Sequence, residues 1–291
     1  MLPPFLYHRA ESVGEAVEIL AAYRGDAKIL AGGTDLLLQM QRGQVSFRHL
    51  VSMRYIRAIK YISLQDGHFV LGANTTHRQA ELSPLVQKEL GALHDAVCRV
   101  GSVQLRNVAT VAGNLCTAVP SADSAAPLLA LDVSLRILGP HGERMIPLTD
   151  FFRGVRSTAL QADEVLLEIR IPRPPAYSGS AYLKLTRRKA MDLALIGVAS
   201  YARCSPDKSR FEEVRIALST VAPTPIRAYG AERLLSATPM SDIAMKEAAE
   251  QAAAEASPRT SLRSTEEYRR EMIKVLVMRS LRQALKRVDG V

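Results

Sequence analysis

Four residues, Pro172-Arg173-Pro174-Pro175, constrain this 291-residue chain more than any others. Proline has no N–H to give to a sheet ladder, and it pushes the residue before it towards extended backbone. The strand-like stretch Glu164–Ile171 must therefore end there. Tyr177, Ser178 and Gly179 prolong the break. A single core rarely grows past about 250–300 residues, so a second domain is expected on length as well. The expected division is residues 1–175 and residues 176–291.

The two sides differ in texture. Ser12–Tyr23 reads SVGEAVEILAAY, an amphipathic helix with Ser12 as N-cap and Glu15 completing a capping box. Gly25 ends it. The short buried strand Ala27–Leu30 runs into AGGTD, Ala31–Asp35. The helix LLLQMQ follows and stops at Gly43, and Leu50–Ser52 reads as another strand. Alternating helices and strands of this kind make a small α/β unit. Further on, Tyr61–Leu64 and His68–Leu71 flank the turn QDG, and Ser134–Leu138 and Arg144–Ile146 flank GPHGE, two hairpin signals. Thr76–Leu82 and Leu85–Val100 are expected helices. Beyond the prolines come three strands, Ala181–Thr186, Ala194–Arg203 and Glu213–Thr220. Helices follow, Ser241–Ala256 and Ser264–Arg287. The fold class is α+β.

Composition removes several functions. The net charge of +9 could suit nucleic acid, but Lys and Arg are dispersed among acidic residues, and there is no tryptophan for stacking. An anionic cofactor or an acidic partner accepts the same balance. Three cysteines, Cys98, Cys116 and Cys204, are an odd number without CxxC spacing, so neither a disulfide framework nor a zinc site is expected. A standard iron–sulfur cluster needs four thiolates. The six histidines show no HxH or HxxxH spacing. No apolar run reaches the roughly 20 residues of a membrane span, and Met1–Leu6 lacks a basic signal region, so a cytoplasmic location is expected.

Two segments carry chemistry. In AKILAGGTD, the Gly-Gly pair lets successive backbone N–H groups converge on an anion, and Thr34 or Asp35 can cap the helix that follows. This is neither GxGxxG nor a P-loop, and a plain strand-to-helix turn would look similar. The second segment, TVAGNLCTAVPSADSA (Thr110–Ala125), reads as a long loop of small residues that would admit a large flat ligand. There Thr110, Asn114 and Asp123 offer hydrogen-bonding groups.

The pair AGGTDLL and RNVATVAGNLCTAVPSADSAAPLLAL, about eighty residues apart, resembles the FAD-binding subunit of molybdenum hydroxylases of the xanthine dehydrogenase and CO dehydrogenase type. FLYHRAESVGEAVEIL, VLGANTTHRQAEL, YLKLTRRKAMDLALIGVAS and EEYRREMIKVLVMRSL extend the resemblance along nearly the whole chain. The resemblance implies an N-terminal FAD domain of two α/β subdomains, similar to vanillyl-alcohol-oxidase-type flavoproteins, and a C-terminal domain of a three-stranded antiparallel sheet with helices. It implies that Ile29, Leu30, Ala31, Gly32, Gly33, Thr34 and Asp35 hold the FAD pyrophosphate and border the flavin. Gly101, Thr110, Gly113, Asn114 and Asp123 would complete the contacts. Leu167 would pack near the adenine, Lys184 would reach the cofactor from the second domain, and Asp192 would lie where an electron acceptor approaches.

The resemblance further implies non-covalent FAD and two partners in a dimer of heterotrimers. A large subunit would carry the molybdenum cofactor and a small one two 2Fe-2S clusters. Two positions depart from the family pattern: Ala112 stands where glycine is frequent, and Cys116 where a smaller residue is usual. Two rivals remain at this stage, a self-contained FAD-dependent oxidoreductase and a cofactor-free binding module. The absence of any evident acid–base pair or nucleophile agrees with electron transfer.

Overall fold

The computed structural model describes residues 2–288. Strands Leu6–Arg9, His49–Ser52 and Ala27–Leu30 lie parallel, in that order across a small sheet. Parallel neighbours need crossovers, and helices Val13–Ala22 and Leu36–Gln41 supply them. Ser12 Oγ caps the first helix by accepting the Glu15 N–H at 3.1 Å. The Glu15 carboxylate reaches back to the N–H of Glu11 rather than of Ser12, so the expected capping box is displaced by one residue. The helix buries Ala16, Val17 and Leu20. Withdrawing side chains such as Val17 and Leu20 from water stabilises the contact by about 1.5–3 kcal/mol each.

A second, antiparallel sheet runs Ile62–Gln65, His68–Gly72, Val165–Pro172, Ser134–Gly139, Gly142–Pro147. Its first hairpin turns at Asp66 and Gly67, both at positive φ, the primed turn that matches strand twist. The central strand carries buried Glu168, held by Arg136 and by the Tyr61 hydroxyl. Short helices fill the span between His68–Gly72 and Ser134–Gly139. Where one helix was expected over Leu85–Val100, there are two, Pro84–Glu89 and Gly91–Val97. The break sets Gly91 flush against the C-terminal part; a Cβ there would fall 2.7 Å from Ser180 O and Arg287 Nη1.

The third sheet has the three long antiparallel strands expected, Ser178–Leu185, Ile196–Cys204 and Phe211–Ser219, extended by the two-residue strand Ile226–Arg227. Helices Tyr229–Leu235, Asp242–Glu255 and Glu266–Lys286 follow. Two cores result. One joins both N-terminal sheets and takes in Tyr182, Ala199, Tyr201 and Ala217. The other lies beneath the C-terminal helices and takes the opposite-facing Ala181, Val198, Ala202 and Ile216. Period-2 alternation thus makes the third sheet a shared wall. Among the described residues no helix is long and apolar enough to cross a membrane.

Candidate cofactor site

Strand Ala27–Leu30 delivers the first glycine segment to the surface, and Ile29 packs back onto the main core. Gly33 adopts φ +73°, which an added Cβ would strain; that atom would also crowd Leu30 and Leu37 at 3.0–3.1 Å. A Cβ on Gly32 would lie 2.2 Å from Val108 O and 2.8 Å from Ala109 Cα. Gly32 therefore sits flush on the backbone that leads into the second segment. Among the described residues, the N–H groups of Gly32, Gly33 and Thr34 have no hydrogen-bond partner. Asp35 occupies the N-cap of helix Leu36–Gln41, yet its side chain makes no capping bond. Its Oδ2 lies 3.4 Å from Thr117 Oγ1, whose hydroxyl donates to Gly113 O at 2.9 Å, a second point where the segments meet.

The second segment is not the loop expected. Val111–Thr117 is a helix capped by Thr110, whose Oγ1 accepts the Gly113 N–H at 3.0 Å, and Ala125–Ala130 is another. Small residues hide this helix from periodicity, but Val111, Ala112 and Leu115 bury it. Ala112 points into the core, so its methyl is accommodated there. Cys116 packs against the same core, and burial pushes its thiol up to about 12, leaving it neutral. Gly113 would bring a Cβ to 2.7 Å from Thr110 Oγ1. Asn114 Oδ1 accepts from Ser124 N–H at 3.3 Å and Ser124 Oγ at 2.6 Å, fixing the residue next to Asp123.

Asp123 and Lys184 meet across the two halves of the chain. Lys184 Nζ donates to Asp123 Oδ2 at 2.7 Å and to Arg99 O at 3.2 Å. Tyr182 Oη donates to Asp123 Oδ1 at 3.2 Å. Burial pushes the Asp123 carboxyl above its usual range, and Lys184 offsets only part of that. Gly101, at φ +49°, accepts the Met191 N–H at 3.4 Å, which brings the loop of Asp192 alongside. The Asp192 carboxylate accepts the N–H groups of Arg187 and Arg188 at 2.9–3.0 Å, and these hold its pKa below the usual value. Leu167 is buried where the ladder between Val165–Pro172 and Ser134–Gly139 shifts register, and its carbonyl accepts the Ala73 N–H. Thr75, two residues on, accepts the N–H of Val111.

The contacts thus join the first segment to Val108, Ala109 and Thr117, and Leu167 to Val111 through Ala73–Thr75, while Asp123 with Lys184, and Gly101 with the Asp192 loop, form two further groups. Thr117 and Tyr182 were not foreseen. Tyr182 could have been, since it lies two residues from Lys184 on a strand and so shares its face. A cavity of about 400 Å³ lined by Arg24, His141, Arg144 and Asp163 includes none of these residues. Among the described residues no group of three or more His, Cys, Asp and Glu side chains could hold a metal ion.

Residues 3–174 match the FAD binding domain in molybdopterin dehydrogenase. The chain belongs to this family. Residues 181–284 match the CO dehydrogenase flavoprotein C-terminal domain. The chain is 36% identical to the putative xanthine dehydrogenase FAD-binding subunit of Escherichia coli, over 98% of this chain and 97% of that one. It is 35% identical to the carbon monoxide dehydrogenase medium chain of Hydrogenophaga pseudoflava, over 98% of each. Among solved structures, a carbon monoxide dehydrogenase from Hydrogenophaga pseudoflava superposes with TM-score 0.95 at 36% identity, covering 99% of both chains. Quinoline 2-oxidoreductase from Pseudomonas putida gives TM-score 0.92 at 28% identity, again over 99% of both.

The residues present fit the family's FAD. Three unpartnered N–H groups at Gly32, Gly33 and Thr34 suit a diphosphate. Asn114, half-buried on the adjoining helix, is tied through Ser124 to the neighbour of Asp123, which Lys184 meets from strand Ser178–Leu185.

Proposed function

We propose that this chain is the FAD-binding electron-transfer subunit of a molybdenum-containing hydroxylase complex, passing electrons from the 2Fe-2S clusters of a small partner to an external acceptor. A large partner would carry the molybdenum cofactor, the assembly being a dimer of heterotrimers in the cytoplasm. The observation that carries the reading is the join of the two glycine segments, Gly32 on Val108 and Asp35 beside Thr117, next to N–H groups without a hydrogen-bond partner among the described residues.

The division of labour follows residues 1–175 and 176–291. Bound FAD supplies the redox chemistry, and the protein holds and orients it. Ile29–Asp35 offer backbone donors to the diphosphate. Thr110 and Gly113 shape the adjoining helix start. Asn114 and Asp123 offer polar atoms to the cofactor's hydroxyls, with Gly101 and Leu167 flanking. Lys184 has three ammonium hydrogens, and the protein uses two. Asp192 shapes the exposed loop Arg187–Met191, on the side where an acceptor would approach.

The test is anaerobic mixing of the complex's own substrate with the isolated subunit and with the full complex. Flavin bleaching only in the complex is the expected result. Rapid bleaching in the isolated subunit would show instead a self-contained oxidoreductase.

A further inference from the structure

Strand Ser178–Leu185 presents Ser180, Tyr182 and Lys184 to residues 1–175. Ser180 Oγ accepts the Ala92 N–H at 3.0 Å, and Lys184 takes Asp123 and the Arg99 carbonyl. Charge pairing accounts for Lys184. It does not account for the hydroxyl of Tyr182, which is 1% exposed in a place where phenylalanine would fill the same space. That hydroxyl donates to Asp123 Oδ1 at 3.2 Å, so one strand holds both oxygens of one carboxylate.

Two further features serve the same carboxylate. Gly197 pairs with Lys184 in the neighbouring strand, and a Cβ on it would fall 2.5 Å from Tyr182 Oη and 2.3 Å from Ser219 Oγ. Glycine there keeps room for the hydroxyl. Thr220 holds φ +67°, a costly conformation for a β-branched residue, while its N–H reaches Pro120 O at 2.8 Å. With the Asn114–Ser124 bonds on the other side, the backbone around Asp123 is gripped before and after it.

We propose that Tyr182 is a positioning residue for FAD: its hydroxyl, given room by Gly197, fixes the Asp123 carboxylate so that its spare acceptor capacity meets the cofactor. An ionised carboxylate offers about four acceptor sites, and Lys184 and Tyr182 use two. Without the tyrosine donor, Asp123 is free to turn wholly onto Lys184. The inference rests on the reading of Asp123 as an FAD contact.

The experiment titrates FAD into the full-length wild-type chain, Tyr182→Phe and Gly197→Ala by flavin fluorescence, and records Tm with and without FAD. Removing one bond to a charged group predicts FAD affinity weakened roughly tenfold in Tyr182→Phe. The rise in Tm that FAD confers should shrink with it. Gly197→Ala, which keeps the ring but displaces its hydroxyl, should show the same loss. A Tyr182→Phe chain with a lowered FAD-free Tm but unchanged FAD affinity would make the tyrosine merely structural and overturn the proposal. A folded Gly197→Ala chain with unchanged affinity would overturn it too. If wild type itself binds no FAD, the functional reading fails with it; if wild type binds and the variants match it, only this inference fails.

Discussion

Acidification from pH 7.5 to pH 5 should cost the folded chain about 2 kcal/mol through one side chain, His77. This residue is 0% exposed, and neither ring nitrogen has a hydrogen-bond partner among the described residues. Burial, with Arg106 adding repulsion, pushes its pKa from 6.5 down to about 4. The folded value lies below the unfolded one, so between them the unfolded chain binds the extra proton. Stability is complete above about pH 6.5 and drains away as pH falls towards 4. At about 1.4 kcal/mol per unit, the loss is about 2 kcal/mol at pH 5 and about 3 kcal/mol by pH 4. Carboxyls held low, Glu164 by Arg144 and Asp207 by Ser205, give up their share only below the ordinary carboxylate range. His77→Leu tests the reasoning. It keeps the backbone bond from residue 77 to Ala109 O and leaves no buried polar atom orphaned. Its stability at pH 7.5 should lie within about 1.5 kcal/mol of wild type. In urea unfolding followed by far-UV circular dichroism, it should exceed wild type by about 2 kcal/mol at pH 5, relative to their difference at pH 7.5. An equal acid loss in both chains would refute the assignment.

Other expectations concern the cofactor. Gly32→Ala forces a methyl into the Val108 carbonyl, so the two glycine segments must part, and purified protein should lose its flavin absorbance. Full flavin occupancy in that variant would remove the join from the site. Gly33→Val adds a β-branched side chain at φ +73° and should weaken FAD binding about 5- to 30-fold in a fluorescence titration, by strain of about 1–2 kcal/mol. Acid precipitation should leave all flavin in the supernatant, because Leu30–Leu38 contains no histidine for a covalent link; yellow precipitate would contradict this. Iron analysis of the isolated subunit should find no stoichiometric iron, since its three cysteines are too few for a standard cluster.

Local chemistry made much of the fold readable. LLLQMQ was bounded to the residue because Gly43 and the glycine pair punctuate it, and the Asp66-Gly67 turn announced its hairpin. Elements that depend on distant partners were not readable. Val111–Thr117 has too little bulk to show a helical stripe and is set by its Thr110 cap and by core contacts. The edge strand Leu6–Arg9 is mostly exposed and shows no alternation. Helix Tyr229–Leu235 has no side-chain N-cap of its own; the Glu255 carboxylate, from a later helix, receives its Gly230 and Ala231 N–H groups. The same holds at the site. The glycine segments could be named from residue type, whereas the Asp35–Thr117 contact and the Tyr182–Asp123 bond exist only once the chain has folded.

Lys184 belongs to the strand that forms the shared wall, and this has a consequence for the order of events during synthesis. Both glycine segments leave the ribosome well before Ser178–Leu185, and that strand has no sheet partner until Ile196–Cys204 pairs beside it. A nascent chain therefore owns most of the pocket's backbone long before it owns the lysine and tyrosine that lock Asp123. If Asp123 contacts FAD as proposed, capture of the cofactor can be completed only after Ser178–Leu185 and its partner Ile196–Cys204 have been translated.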